Sequence, residues 1–574
     1  MFILSPSWAL LAAYLPLVLS SPGPAKRGKQ YVLEPSVTGN LQDVFQVYQP
    51  VPATSGGSCD RDVVLMEHSF GASYGHPFVG DYQPPNCDFD SVQINLTVIS
   101  RGRQFDRLAL MYLGDAEVFR TSTAEPTSSG ITWTYVKEMT QYNVLWRKSQ
   151  KLIFELNNNI DDTYTAPLNA TLTAHFSSKN AVTTADVILP ISAQKANSNS
   201  SSAFTVPTDN ATVLHKIPAG VSRAVVSISA CGQADEEFWW SNVFTEDTQD
   251  FTNTSGELFG ESPFREIQLY IDGTLAGVVW PFPIIFTGGV APGFWRPIVG
   301  IDAYDLRQPE IDISPFLPLL QDGKGHSFEI RVSGLNISSD GTATLSGTVG
   351  SNWVVTGNIF LFNDDLAQTT VGSAKGAATQ VEAPAPKFKI TRHLTHNKKG
   401  ENSTLNYSVT AERTFISKSS QYSWSQSLKF SNVGLFNQNG YSQLNNQFTS
   451  GKNTITKLGE NPSSNETTFE YPLIMNSTYG NEENVTSIDA WMQRGLAIRS
   501  TGGLGISTFT LASGPSQLNT TQSGRAHYRS VGGGNSTSSG STLDLFKSTA
   551  NGVDYSRSVK AVNGRVVEDS DGRP

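Results

Sequence analysis

Apolar and polar positions alternate along most of this chain with a period of two. Val92-Gln-Ile-Asn-Leu-Thr-Val places an apolar side chain at every second position, as a strand with one buried face does. Lys387-Phe-Lys-Ile, Tyr407-Ser-Val-Thr-Ala-Glu-Arg, Tyr422-Ser-Trp-Ser-Gln-Ser-Leu-Lys-Phe and Thr467-Thr-Phe-Glu-Tyr-Pro-Leu repeat the pattern. Residues 108–112 form a short continuous apolar run, which reads as one fully buried strand. Gly114-Asp115 then predicts a hairpin turn, since Gly relieves the limit on φ and Asp tolerates left-handed geometry. Glu117, Val118 and Phe119 begin the return strand, which empties into Arg120-Thr-Ser-Thr-Ala-Glu-Pro. Pro126 forbids a continuing central strand. The polar cluster therefore belongs at a sheet end, where sandwich proteins carry ligand-binding loops.

The same plan recurs downstream. Phe264-Arg-Glu-Ile-Gln-Leu-Tyr-Ile-Asp-Gly parallels Phe105-Asp-Arg-Leu-Ala-Leu-Met-Tyr-Leu-Gly, and Val279-Trp-Pro parallels Ala124-Glu-Pro. A Gly-containing loop leads to Trp295 as one leads to Trp133. Residues 312–320 and 136–145 have helix-like or irregular spacing. Ser327-Phe-Glu-Ile-Arg-Val answers Lys151-Leu-Ile-Phe-Glu-Leu as a later strand. Two copies of one β unit predict an all-β chain with two tandem jelly-roll-like antiparallel β-sandwiches, 30–177 and 203–364. Residues 178–202, rich in Ala, Ser and Asn, read as a linker. Residues 378–574, richer in Ser, Asn, Thr and Gly, read as a C-terminal β-rich domain, with 532–541 of low complexity. The crease between two sandwiches is the natural place for a ligand.

At 574 residues the chain exceeds a single core, and aromatics make up 10% of it. The net charge of −10 comes without a long basic run, which argues against a nucleic-acid partner. Residues 1–21 read as a signal peptide, apolar over 9–19 and ending in Ser20 and Ser21. Lys26-Arg27 just beyond is a candidate processing site. Residues 569–574 are polar and carry no tail for a lipid anchor, so a stable membrane anchor is not expected. Thirteen Asn-X-Ser/Thr triplets begin at Asn95, Asn169, Asn199, Asn210, Asn253, Asn336, Asn402, Asn406, Asn465, Asn476, Asn484, Asn519 and Asn535. Together with the signal peptide they predict a secreted glycoprotein. Of the three cysteines, Cys59 and Cys87 would close a local loop and are the preferred disulfide; Cys231 is then left as a buried apolar residue. No Cys/His spacing suggests zinc, and no cofactor is called for. His175, His215 and His326 are scattered singly.

Arg107-Leu-Ala-Leu-Met-Tyr-Leu-Gly-Asp, Phe119-Arg-Thr-Ser-Thr-Ala-Glu-Pro, Trp133-Thr-Tyr-Val-Lys-Glu-Met-Thr, Trp280-Pro-Phe-Pro-Ile-Ile-Phe-Thr-Gly-Gly and Trp295-Arg-Pro-Ile resemble the plant and fungal peptide:N-glycosidase A family. The resemblance runs from about Val63 to Asn336. It implies a metal-independent amidase acting on N-glycopeptides or N-glycoproteins, which cleaves between Asn and the innermost N-acetylglucosamine and leaves Asp and a glycosylamine. It also implies that Lys398-Lys399 marks a site of cleavage into two chains; a solvated lysine pair is the other reading. More distantly, the pair of sandwiches resembles the bacterial peptide:N-glycosidase. There one catalytic Asp lies in a Cys-Asp-x-x-Asp-like strand start, which Cys87-Asp-Phe-Asp approaches one residue short. A second carboxylate lies in an Ala-Glu-Phe loop, which Glu237-Phe238 matches.

These likenesses single out Asp88 as the water-activating base and Glu237 as its partner. Paired carboxylates in different environments can supply a base and a protonated acid for amide hydrolysis. Glu125 is a third candidate; its alternative is a structural pair with Arg120. Asp161-Asp162 could reach the same crease, whereas Asp115 and Asp272 read as turn residues. Arg120, Arg296, Trp133, Trp239, Trp240, Trp280 and Trp295 are candidate substrate contacts. Indole faces stack on sugar rings, although core packing competes for each of them. Trp239 and Trp240, if extended, point to opposite faces, leaving one exposed. A non-catalytic carbohydrate-binding or cell-surface protein on the same scaffold is the rival reading. The two are distinguished by whether the carboxylates converge on one cleft.

Overall fold

The computed structural model describes residues 41–53, 57–178, 183–363, 378–480, 482, 484–501, 516–532, 536–550 and 552–572. The expected signal peptide, Lys26-Arg27 and Asn535 lie outside the described residues. The first unit contains β1 (Gln42–Asp43), β2 (Asp60–Phe70), β3 (Phe78–Tyr82), β4 (Ser91–Ser100), β5 (Leu108–Leu113) and β6 (Ala116–Ser122). These are followed by β7 (Ile131–Glu138), α1 (Asn143–Trp146), β8 (Gln150–Leu156) and β9 (Leu168–Ser177). One sheet runs β1-β7-β4-β9-β2 and the other β3-β8-β5-β6. Alternation does what it should: in β9, Leu168, Ala170, Leu172, Ala174 and Phe176 face inward while their neighbours are more exposed. Leu96 and Leu172 of one sheet share a core with Met111, Leu152 and Phe154 of the other. β5 and β6 are buried on both faces, because Leu110, Tyr112 and Ile153 pack outward against Ala196 and Val354 of the next unit. That explains the unbroken apolar run.

The second unit contains β10 (Val187–Ile191), β11 (Phe204–Val206), β12 (Thr212–His215), β13 (Val221–Gln233), β14 (Glu266–Ile271) and β15 (Thr274–Val279). Then come β16 (Glu310–Asp312), α2 (Leu317–Leu320), β17 (His326–Ser333), β18 (Leu335–Ile337), β19 (Ala343–Leu345) and β20 (Asn352–Asn363). Its sheets run β10-β20-β13-β16, with β11 also on β20, and β12-β17-β14-β15. The hairpin sheet has the same order as that of the first unit. Both hairpins also carry a bulge at the same place, between Met111 and Tyr112 and between Leu269 and Tyr270. One expectation needs correcting. The stretch 178–202 is not all connection: β10 lies within it and pairs with β20 from Val187 to Ile191, because Ile188 packs into the core of the first sandwich and Ile191 into that of the second.

A third sheet of eleven strands, among the described residues, runs from Gln380 to Gly572. Its inner face shares a core with the second sandwich, Trp424, Phe430 and Met475 joining Phe264 and Trp280. The molecule is therefore all-β, with two sandwiches and a C-terminal β-rich part. The third sheet also braces the loop after β15: Arg494 donates to the carbonyl of Pro283 (3.0 Å) and Gln522 to that of Val299 (2.8 Å).

Candidate active site

The hairpin register pairs Leu108 with Ser122. Pairing continues one step further: the Thr123 N–H donates to Arg107 O (2.9 Å), and the Arg107 N–H donates to Thr123 Oγ1 (2.8 Å). One more step sets Asp106 opposite Ala124, beside Glu125. The loop between β15 and β16 closes over this end. Thr287 Oγ1 donates to Thr123 O (2.6 Å), and Arg296 Nη2 stands 3.7 Å from a Glu125 carboxylate oxygen. Gly288 has a positive φ of 96°, and a Cβ there would lie 2.2 Å from Glu125 Oε1. Only glycine allows this approach. A Cβ at Gly289 would lie 3.1 Å from the ring of Phe238, so the Gly288-Gly289 turn touches Glu125 on one side and the neighbour of Glu237 on the other. The Trp295 indole donates to Gly289 O (2.8 Å) and fixes the turn.

Glu237 comes from the second sandwich. β13 ends at Gln233 and turns through Ala234, whose φ is 53°. The adjacent Glu236 is clamped: Arg265 Nε and Nη2 each lie 2.5 Å from its oxygens, and it also accepts from Trp353 Nε1 (2.7 Å) and the Gly350 N–H (2.7 Å). That anchor presents Glu237, the next residue, towards the first sandwich.

Asp106, Glu125 and Glu237 are each half-buried. Burial above all, then the charges of Glu237 and Glu125, pushes the Asp106 carboxyl well above the usual carboxylate range; Arg107 opposes this weakly. Burial pushes Glu125 up to about 7, against the nearby Arg296 and Arg103. Burial, then Glu125, pushes Glu237 up to about 7. The contrast with Glu236 is direct. Burial would raise that carboxyl too, but Arg265 outweighs it and holds Glu236 below its ordinary value. Like charges close together in low-dielectric surroundings do not ionise independently, so the titrations of these acids are linked. The arrangement can hold a proton donor and an anionic base together near neutral pH. Among the described residues, no group of three His, Cys, Asp or Glu side chains is arranged to hold a metal ion.

The other candidates fall elsewhere. Asp88 is exposed at the opposite end of β4 from Ser100 and the Asp106 loop, in a surface ion pair with Arg147 (3.0 Å). Arg120 does not pair with Glu125. It is fully buried in a bidentate bond to Glu117 (2.7 and 2.8 Å) and donates to Val354 O (2.8 Å), tying the two sandwiches together, so no substrate reaches it. Trp133, Trp239, Trp240, Trp280 and Trp295 are all buried in cores. Trp239 and Trp240 lie in a short 3₁₀ turn rather than an extended strand, which is why neither is exposed. Arg296 is partly exposed beside Glu125. Asp161 is an exposed turn residue bonded to the N–H groups of Thr163 and Tyr164. Asp115 ties its turn to Ala196 and Ser202, and Asp272 accepts from Ser327 and pairs with His326. Cys59 and Cys87 are joined in a disulfide, and Cys231 is buried. Of the sequon asparagines, Asn465 is buried and paired with Ser500, which leaves no room for a glycan; the other described ones are exposed or half-buried. Asp106 escaped the sequence reading. Its signal was arithmetic: two residues ahead of β5, it faces the end of β6 where Glu125 sits.

The fold and this cleft define an all-β protein with two joined sandwiches and an acidic site built from both. Residues 49–380 match the family described as peptide N-acetyl-beta-D-glucosaminyl asparaginase amidase A, and residues 406–473 match the PNGase A C-terminal domain. The chain belongs to this family. Peptide-N4-(N-acetyl-beta-glucosaminyl)asparagine amidase A of Prunus dulcis is 34% identical over 352 residues, which cover 57% of this chain and 58% of that protein. Among solved structures, a recombinant peptide:N-glycanase F is similar at 12% identity and TM-score 0.34, covering 53% of this chain and 96% of that one. PNGF-II is similar at 12% identity and TM-score 0.32, covering 57% and 65%.

Proposed function

We propose that the protein is a secreted amidase that hydrolyses the bond between Asn and the innermost N-acetylglucosamine of N-glycopeptides. The observation that carries this reading is that Asp106, Glu125 and Glu237, from both sandwiches, lie near enough to raise one another's carboxyls, in a chain of the amidase A family. A base removes a proton from water, which attacks the carbonyl carbon of the Asn side chain. The tetrahedral intermediate then loses the glycosylamine, whose nitrogen takes a proton from the acid, and the peptide keeps Asp. Glu237 is the acid, because no guanidinium offsets its burial. The negative charge resides on Glu125, which faces Arg296 and Arg103, while Asp106 beside it holds its proton. Arg296, partly exposed, offers N–H groups to the developing oxyanion.

Secretion belongs to this reading, supported by the Cys59–Cys87 disulfide and the exposed sequons. No described helix is long and apolar enough to cross a membrane. The rival, a purely sugar-binding protein, would favour clustered exposed tryptophans at the crease, and the candidates there are buried. The test is to incubate the protein with an N-glycopeptide across mildly acidic to neutral pH, with chelator present, and to weigh the peptide. Loss of the whole glycan with Asn become Asp supports the amidase. A peptide that keeps one N-acetylglucosamine marks a glycosidase, and an unchanged peptide removes the proposal.

A further inference from the structure

The outer face of the C-terminal sheet carries a feature unconnected with the cleft. Among the nine described tryptophans, Trp491 alone is exposed, at 37%; the others lie in cores. It stands on the strand Val485–Thr501. Register places it directly between Asn476 on one neighbouring strand and Arg525 on the other, and Arg525 faces Ser541. Residues directly opposite across an antiparallel pair share a face, with Cβ atoms about 4.5–5.5 Å apart. Asn476, Trp491 and Arg525 therefore form one outward row. Beside the row lies a depression of about 280 Å³, walled by Trp491, Gln493 and Arg525 and floored by the small side chains of Ser523 and Ser541.

Asn476-Ser-Thr is one of the sequons, and parity separates it from its neighbour on the same strand. Asn465 is an odd number of residues away, so it points inward and is buried, whereas Asn476 lies half-buried on the outward face opposite Trp491, its Nδ2 donating to Gln443 O (3.3 Å). A sugar has an apolar C–H face that suits an indole and a rim of hydroxyls that suits Gln, Ser and Arg donors. The tether and the platform stand side by side.

We infer that Asn476 carries an N-linked glycan whose core sugars lie on Trp491 in this depression, so that the sheet binds its own modification. The inference does not depend on the amidase reading. It is tested on the intact chain produced in an N-glycosylating host, by glycopeptide mass spectrometry at Asn476 and by acrylamide quenching of tryptophan fluorescence, which reports Trp491 because the other described indoles are buried. The expected result is an occupied Asn476 and a quenching slope that rises in Asn476→Gln but not in Asn406→Gln. Trp491→Phe should abolish the rise, which shows that the signal comes from that ring. An unmodified Asn476, or equal slopes in Asn476→Gln and the parent, would overturn the inference. So would protection of Trp491 in Asn476→Gln by free oligosaccharide alone, which would make the depression a site for foreign glycans.

Discussion

The hairpins β5–β6 and β14–β15 occupy the same place in equivalent sheets, yet their ends differ in chemistry. Matched by strand ends and bulge, Asp106 of the first corresponds to Phe264 of the second. Phe264 is fully buried and meets Trp280, Phe388 and Phe430 edge-on. Glu266 nearby is also buried, which raises its carboxyl, but Arg413 from the C-terminal sheet grips it at 2.7 and 3.0 Å and opposes that rise. The third sheet covers that hairpin and supplies the cation. At the corresponding end of the first hairpin the Gly288 loop and Glu237 approach, and burial raises Asp106 and Glu125, with Arg296 standing 3.7 Å from the Glu125 carboxylate. Neighbouring Glu236 and Glu237 repeat the lesson within two residues. A buried acid gripped by a guanidinium reads as scaffold, and on the proposed function one without such a grip is the candidate for proton transfer.

The sharpest way to break this contrast is to remove the unmatched acids. Asp106→Asn and Glu237→Gln should each lower glycopeptide hydrolysis by about 10²–10⁴-fold while leaving the thermal unfolding temperature at or above the parent's. A variant that instead unfolded would make these acids scaffold too. The converse change is Glu236→Gln or Arg265→Met, which leaves one side of a buried pair uncompensated. Each should cost about 3–5 kcal/mol in denaturant unfolding.

pH separates the two classes next. Glu125 and Glu237 have an ordinary value of 4.5 and are raised to about 7 in the fold, so folding takes up protons between those values. Their contribution to stability is full below 4.5 and is lost as pH rises through about 7. Unfolding free energy should fall over that window by about 1–3 kcal/mol, and Glu237→Gln should flatten the fall. Gly288→Ala should lower turnover by about tenfold, because a methyl group would displace Glu125 from its place. Asp88→Asn, on the surface, should leave activity unchanged and stability within about 0.5 kcal/mol.

Much of this was legible before any coordinates. The apolar run at 108–112, the Gly-Asp turn and the stop at Pro126 specify a hairpin whose end carries Glu125, because turn and proline chemistry are local. The repeat was visible as well, but the sequence match sets Phe264 against Phe105, one residue away from the match made by strands and bulge. In a period-two structure one residue exchanges faces, so Asp106 could not be recognised by analogy with its counterpart. A short local pattern favours Asp88, whereas the proposed site draws on residues of both sandwiches. Nor could composition tell which tryptophans the third sheet and the sandwich cores would enclose.

The most direct test is the rate at which folded Glu237→Gln protein converts an N-glycopeptide to the Asp-containing peptide, set beside the parent across mildly acidic to neutral pH. The account predicts a loss of at least about a hundredfold with unchanged unfolding temperature. Parent-like turnover by the folded variant would contradict it and return the three acids to the scaffold.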